Sequence, residues 1–332
     1  MSLELIDRML AGDIRALARL ITLVESRHPS LPEIMQEIYG HSGRAYVLGI
    51  TGPPGGGKST LVDGLAAEFR KRGETVGIVA IDPSSPFSGG ALLGDRIRMT
   101  QHASDPGVFI RSLGTRGSQG GLSLATREVV RLIDAAGYQI ILVETVGVGQ
   151  TELDIMELAD TVVVVFVPES GDTIQTMKAG LTEIADIFVV NKFDRAGAAN
   201  MLRELLQMIE LAPPRAWTPP VLSTVAFKGE GVAQLVEKIA AHRAWSAAQE
   251  NGRERQAFSN LAEFADVLTG VIGQRLRQGT TTSTLADLIR QVKDGAVNPY
   301  CAALTVLNDP SMLRDLSEDE PCAAPNRPSK RK

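Results

Sequence analysis

The chain has 332 residues, 44% hydrophobic and 22% charged, with a formal net charge of -5 and a pI near 5.5. That length buries either two domains or one α/β core with helical additions, and the charge balance makes no electrostatic case for nucleic acid or for an anionic membrane. Two cysteines without metal-type spacing, Cys301 and Cys322, an acidic start at Glu4 and Asp7, and a longest apolar run of 162–167 predict a cytoplasmic protein with no leader and no membrane span.

Residues 1–43 repeat Leu3, Ile6, Leu10, Ile14, Leu17, Ile21 and Val24 at three- and four-residue steps, which predicts an N-terminal helical extension. Asp13, directly after Gly12, is placed as an N-cap dividing that extension into two helices. Over 44–243 strand and helix patterns alternate. The runs 45–51, 76–81, 108–113, 139–144, 161–167, 186–191 and 221–225 are rich in Val and Ile, as strands buried on both faces are, and the helical stretches between them supply crossovers. The fold expected is α/β, a doubly wound, mostly parallel sheet, whose ligands sit beyond the carboxyl ends of the strands. Residues 244–308 are helical in pattern, with Phe258, Leu261, Phe264, Leu268, Val271 and Leu276 as an approximate stripe. That stripe fits a helix packed on its own domain and an arm that leaves it equally well. From Asp309 the Pro-rich, charged end, 309–332, is expected to be disordered.

The chemistry centres on Gly52, Pro53, Pro54, Gly55, Gly56, Gly57, Lys58 and Ser59, a G-x-x-x-x-G-K-[ST] stretch between a strand pattern and a helix pattern, continued by Thr60. Glycines let successive N–H groups curl around phosphate oxygens, the helix adds its positive end, Lys58 neutralises the outer phosphates and the Ser59 hydroxyl reaches Mg²⁺. Asn191, Lys192 and Asp194 form N-K-x-D at a strand end. A carboxylate at Asp194 accepts from the ring N–H and exocyclic amine of guanine, donors that adenine lacks there, while Asn191 can bond the other edge and the Lys192 stem can lie along the ring.

Glu144 closes a strand where nucleotide switches carry D-x-x-G. It can hold Mg²⁺ directly or through water, with the Gly147 N–H meeting the terminal phosphate. Val148 stands where a water-positioning glutamine would follow, which predicts slow hydrolysis without a partner. Asp82 and Asp95 are further carboxylates for the metal or for a water, and they read equally as a turn former before Pro83 and as a helix cap. The polar stretch 171–178, ending at Lys178, fits either a ligand-responsive loop or an ordinary connection.

Taken together, GITGPPGGGKSTL, AIDPSSPFSGGALLGDRIRM, FIRSLGTRG, ILVETVGVGQTE, VPESGDTIQTMKAG, NKFD and GEGV, in order across 47–232, resemble the MeaB/ArgK family of GTPases, chaperones of adenosylcobalamin-dependent acyl-CoA mutases. The resemblance implies a homodimer joined by the C-terminal helical arm, GTP/GDP and Mg²⁺ as ligands, and a mutase whose cofactor loading and protection follow nucleotide state. By position it implies that Ser59, Asp82, Asp95 and Glu144 serve the metal and the switches. Lys178 falls in a third switch that answers to the mutase, and Val225 and Ala226 lie near the base edge. A GTPase that delivers a metal such as nickel is the alternative. Such proteins advertise His-rich or Cys-x-Cys sites, whereas His28, His41, His102 and His242 are scattered.

Overall fold

The computed structural model describes residues 2–82, 102, 104–114, 124–145, 151–168, 184–249, 251–278 and 283–315. The chain divides into two compact units, Met1–Gln256 and Ala257–Lys332. In the first unit the seven apolar runs form seven parallel strands: β1 (Tyr46–Thr51), β2 (Val76–Asp82), β3 (Val108–Gly114), β4 (Ile140–Glu144), β5 (Thr161–Phe166), β6 (Ile187–Val190) and β7 (Val221–Ser223). Their order in the sheet is β3-β2-β4-β1-β5-β6-β7, with every pairing parallel.

The sheet is covered on both faces, which is why its strands read as continuous Val and Ile rather than as an alternation. Along β4, Ile141 and Val143 enter one apolar layer while Ile140 and Leu142 enter the other. The second layer is filled by α4 (Lys58–Lys71) and α8 (Val232–Ala248), through Leu61, Leu65 and Phe69 of the first and Leu235 and Ile239 of the second. The first layer takes α5 (Leu124–Ala135), α6 (Thr151–Leu158) and α7 (Ala198–Leu211).

The N-terminal extension joins that same layer. Its helices are α1 (Ser2–Leu10), α2 (Ile14–Glu25) and α3 (Leu31–Ile38), and Leu17, Leu20, Ile21 and Val24 of α2 are buried in it. Asp13 is the N-cap of α2, its carboxylate accepting from the N–H groups of Arg15 (2.8 Å) and Ala16 (3.2 Å). Three helices stand where the apolar spacing predicts two. Arg27 turns left-handed (φ 53°) after α2, and Pro32 sits in the first turn of α3, so a short third helix carrying only Ile34 and Ile38 into the core follows. The exit from the extension is tied down by Asp134 of α5, whose carboxylate accepts from the backbone of Gly43, Arg44 and Ala45 just before β1.

In the second unit α10 (Ser283–Lys293), α11 (Pro299–Asn308) and α12 (Pro310–Asp315) pack on one another, with Leu285, Ala302 and Met312 buried. Of the stretch expected to be disordered from Asp309, residues 310–315 form α12, where the Asp309 carboxylate accepts from the Ser311 N–H (2.8 Å) and hydroxyl (2.6 Å) and caps the helix; 316–332 lie outside the described residues. On α9 (Asn251–Gln278), Leu261, Phe264, Leu268 and Val271 are exposed; the side chain of Phe258 falls outside the described ones. Among the described residues no helix is long and apolar enough to cross a membrane.

Candidate functional site

The carboxyl ends of β1, β4, β6 and β7 bring the predicted motifs together. Thr51 ends β1 and the chain turns through the loop 52–57 into α4. Two glycines there are required. A Cβ on Gly52 (φ 135°) would lie 2.1 Å from the Val165 carbonyl oxygen of β5, and one on Gly57 (φ 78°) would lie 2.5 Å from Asn191 Nδ2. Gly56 has no positive φ, and its added Cβ would come only to 3.0 Å from the Pro53 oxygen.

Gly57 is the N-cap of α4 and offers no side chain to it. The first N–H groups of the helix therefore lack intrahelical partners and face outward, the arrangement that favours phosphate. Lys58 is buried, and its Nζ donates to the carbonyls of Gly52 (2.8 Å) and Pro53 (3.0 Å), so the ammonium is drawn back across the loop.

Ser59 Oγ donates to Glu144 Oε1 at 2.7 Å. Glu144 is buried in the middle of the sheet edge, paired in register with Ile50 of β1 and Ala80 of β2. These are two hard oxygen donors beside a phosphate cradle, and they fit Mg²⁺. With the hydroxyl proton committed to Glu144, a lone pair of Ser59 Oγ is available to a cation. Behind them, buried Thr145 donates through its hydroxyl to Thr51 (2.8 Å), and its N–H to Ile50 O (3.0 Å), locking β4 to β1.

Asn191 is almost fully buried. Its Nδ2 donates to the Gly56 carbonyl (2.9 Å), and its Oδ1 accepts from the Thr224 hydroxyl (3.0 Å) and the Ala226 N–H (3.1 Å). The sequence expectation sets this amide on the base edge. In the fold it first ties the phosphate loop to the end of β7, and the second Nδ2 hydrogen is the one that can be given to a base. Lys192 adopts a left-handed φ of 54° and Asp194 is exposed, as a group that meets a ligand must be. Val225 and Ala226 are buried beside Asn191.

Asp82 is the last residue of β2, opposite Gly114 of β3 and two residues beyond the one paired with Glu144; its side chain is not among the described ones. Asp95, Gly147 and Lys178 lie outside the described residues. Thr224 escapes the motif reading altogether, because a lone Thr at a strand end carries no signal until its partner is known. On α4, one turn beyond Ser59, burial pushes the Asp63 carboxyl above its ordinary range while the His102 ring, 3.2 Å from Oδ1, pulls it back.

Comparison with known proteins adds the following. A family profile described as "Methylmalonyl Co-A mutase-associated GTPase MeaB" matches residues 17–280. A Pyrococcus abyssi protein provisionally named a GTPase is 49% identical over 310 residues, which are 92% of this chain and 96% of that protein. The mitochondrial methylmalonic aciduria type A homolog of Caenorhabditis elegans is 31% identical over 327 residues, 92% of this chain and 82% of that one. Among solved structures, a crystal structure of LAO/AO transport system kinase covers 96% of both chains at a TM-score of 0.67 and 26% identity.

Proposed function

This chain belongs to the methylmalonyl-CoA mutase-associated GTPase family, and from that premise we propose that it hydrolyses GTP slowly by itself and uses nucleotide state to gate adenosylcobalamin loading and protection of a B12-dependent acyl-CoA mutase. The observation that carries the guanine reading is the Asn191 amide, which joins the phosphate loop at Gly56 to Ala226 at the base side. Loop and base side are thereby tied to one another through a single side chain.

In this reading the loop N–H groups and the start of α4 hold the phosphate chain. Lys58, held over the loop by two carbonyls, turns its ammonium toward the charge that develops on the β–γ bridge and the γ-phosphate. Ser59 and Glu144, with Asp82 and Asp95 as further carboxylates, would hold Mg²⁺, which when bound neutralises phosphate charge. Asp194 and Asn191 select guanine. Val148, standing where a glutamine would orient the attacking water, leaves hydrolysis slow until a partner completes the site.

A switch does work on a partner only if the partner binds its two states with different affinity. The mutase must therefore discriminate GTP from GDP forms, and Lys178 is assigned to the segment that reports the difference. The helical segment 244–308 serves as the dimerisation arm, supported by the exposed stripe of α9.

The test is the GTP hydrolysis rate against rising concentrations of purified acyl-CoA mutases, with Lys58→Ala as the blank. Saturable acceleration by one mutase, absent in Lys58→Ala, is the expected result. Equal mutase affinity with GDP and with a non-hydrolysable GTP analogue would remove the gating claim and leave the GTPase.

A further inference from the structure

The turn after β7 displays an aromatic ring beside the base-selecting residues. The Val225 N–H donates to Glu230 O (3.1 Å), Lys228 N–H to Val225 O (2.9 Å) and Gly229 N–H to Ala226 O (3.0 Å), and Gly229 closes the turn in the left-handed conformation (φ 73°). Ala226 is sunk in the layer shared with α4 and α8, with its N–H on Asn191 Oδ1 at 3.1 Å. The backbone on which residue 227 stands is therefore pinned from several sides. Yet Phe227 is 69% exposed while Val225 and Ala226 are 6% and 7% exposed. Lys228 Nζ lies 5.3 Å from the centre of its ring.

A single exposed aromatic is ordinary on a protein surface; its address is what distinguishes this one. Consecutive Cα atoms are about 3.8 Å apart, so Phe227 begins one residue from the backbone amide that touches Asn191. Three residues before Phe227, Thr224 O accepts from the Phe193 N–H (3.0 Å), which ties this turn to the segment that carries Lys192 and Asp194. Asp194 and Asn191 can satisfy the edges of guanine but offer nothing apolar to its face, and a planar purine binds best with its face covered.

We infer that Phe227 is the stacking platform for the guanine ring, a positioning residue that sets nucleotide affinity through the face of the base, with Lys228 polarising the ring from outside. The inference rests on the GTP-binding reading and goes one residue beyond its motifs.

GDP and tripolyphosphate, the second a ligand without a base, separate the possibilities by calorimetry on the full chain. Phe227→Ala should weaken GDP by about 5- to 150-fold and leave tripolyphosphate binding unchanged, and Phe227→Tyr should restore GDP affinity. In Phe227→Trp the new indole should be quenched by GDP but not by tripolyphosphate, read against the wild-type signal of Trp217 and Trp245. Wild-type GDP affinity in Phe227→Ala, or equal loss of both ligands, would overturn the inference while leaving the GTP site intact. A wild-type chain that binds tripolyphosphate and not GDP would overturn the guanine reading and the inference together.

Discussion

At Gly57 the phosphate loop and the base side of the site meet at a single missing side chain. Its left-handed φ costs a non-glycine residue about 1–2 kcal/mol, and a methyl there would displace Asn191, whose amide holds both walls. Gly57→Ala should weaken GDP at least about tenfold, measured by calorimetry. Gly56→Ala, with an ordinary φ but an added Cβ 3.0 Å from the Pro53 carbonyl oxygen, asks that oxygen to give by a few tenths of an ångström and should weaken GDP less than Gly57→Ala does. Asp194 makes a second prediction at this scale. Replacing it with Asn exchanges an acceptor for a donor, which repels the exocyclic amine of guanine and suits the carbonyl that xanthine carries in its place. Asp194→Asn should lose GTP turnover and gain XTP turnover in a side-by-side assay; unchanged GTP turnover would mean that Asp194 does not face the base.

Among the elements, the N-terminal helices are core rather than decoration. Leu20 and Ile21 of α2 are fully buried in the layer that covers one face of the sheet, and Asp13 fixes where that helix starts. The side-chain hydrogen bond from Arg8, reinforced by the Ala16 N–H, holds the Asp13 carboxyl below the usual carboxylate range. A carboxyl depressed in the folded state contributes stability that is present above its unfolded pKa and is lost as pH falls through the folded value. Asp13→Ala should therefore lower Tm at pH 7, and the gap to the wild type should narrow as pH drops below about 4; a gap that is constant from pH 7 to pH 3 in calorimetric scans would refute the linkage. A similar economy of polar groups docks the chain between the first and third strands. Arg70 of α4 makes a two-pronged contact with Asp105 (2.9 and 3.0 Å), and a Cβ on Gly107 would fall on its guanidinium.

For the molecule as a whole, the apolar side chains of α9 are the ones that an arm meeting a second copy would bury. Leu261 and Phe264 are each 63% exposed. A dimer that seats this stripe should be broken by Phe264→Asp, shifting the mass measured by light scattering from two chains to one while basal GTP hydrolysis persists. A wild-type chain that runs as a monomer at micromolar concentration would refute the arm reading.

The succession of strands along the chain, the two-sided burial of the sheet and the phosphate and guanine motifs were legible in the sequence, because each depends on residues close together in the chain: run length, a glycine-rich turn, a carboxylate at a strand end. The seven runs from 45–51 to 221–225 became β1 to β7 with ends shifted by at most two residues. What only the tertiary structure decided is the partnering of buried polar groups. Asn191 finds Gly56 across 135 residues and Thr224 across 33, and Ser59 finds Glu144 across 85. Such a group must be satisfied once water is excluded, but which partner satisfies it depends on how the strands are ordered in space. For that reason the motifs were legible in the chain, and the fold alone showed that one buried amide, Asn191, ties the phosphate loop at Gly56 to the end of β7 and Ala226.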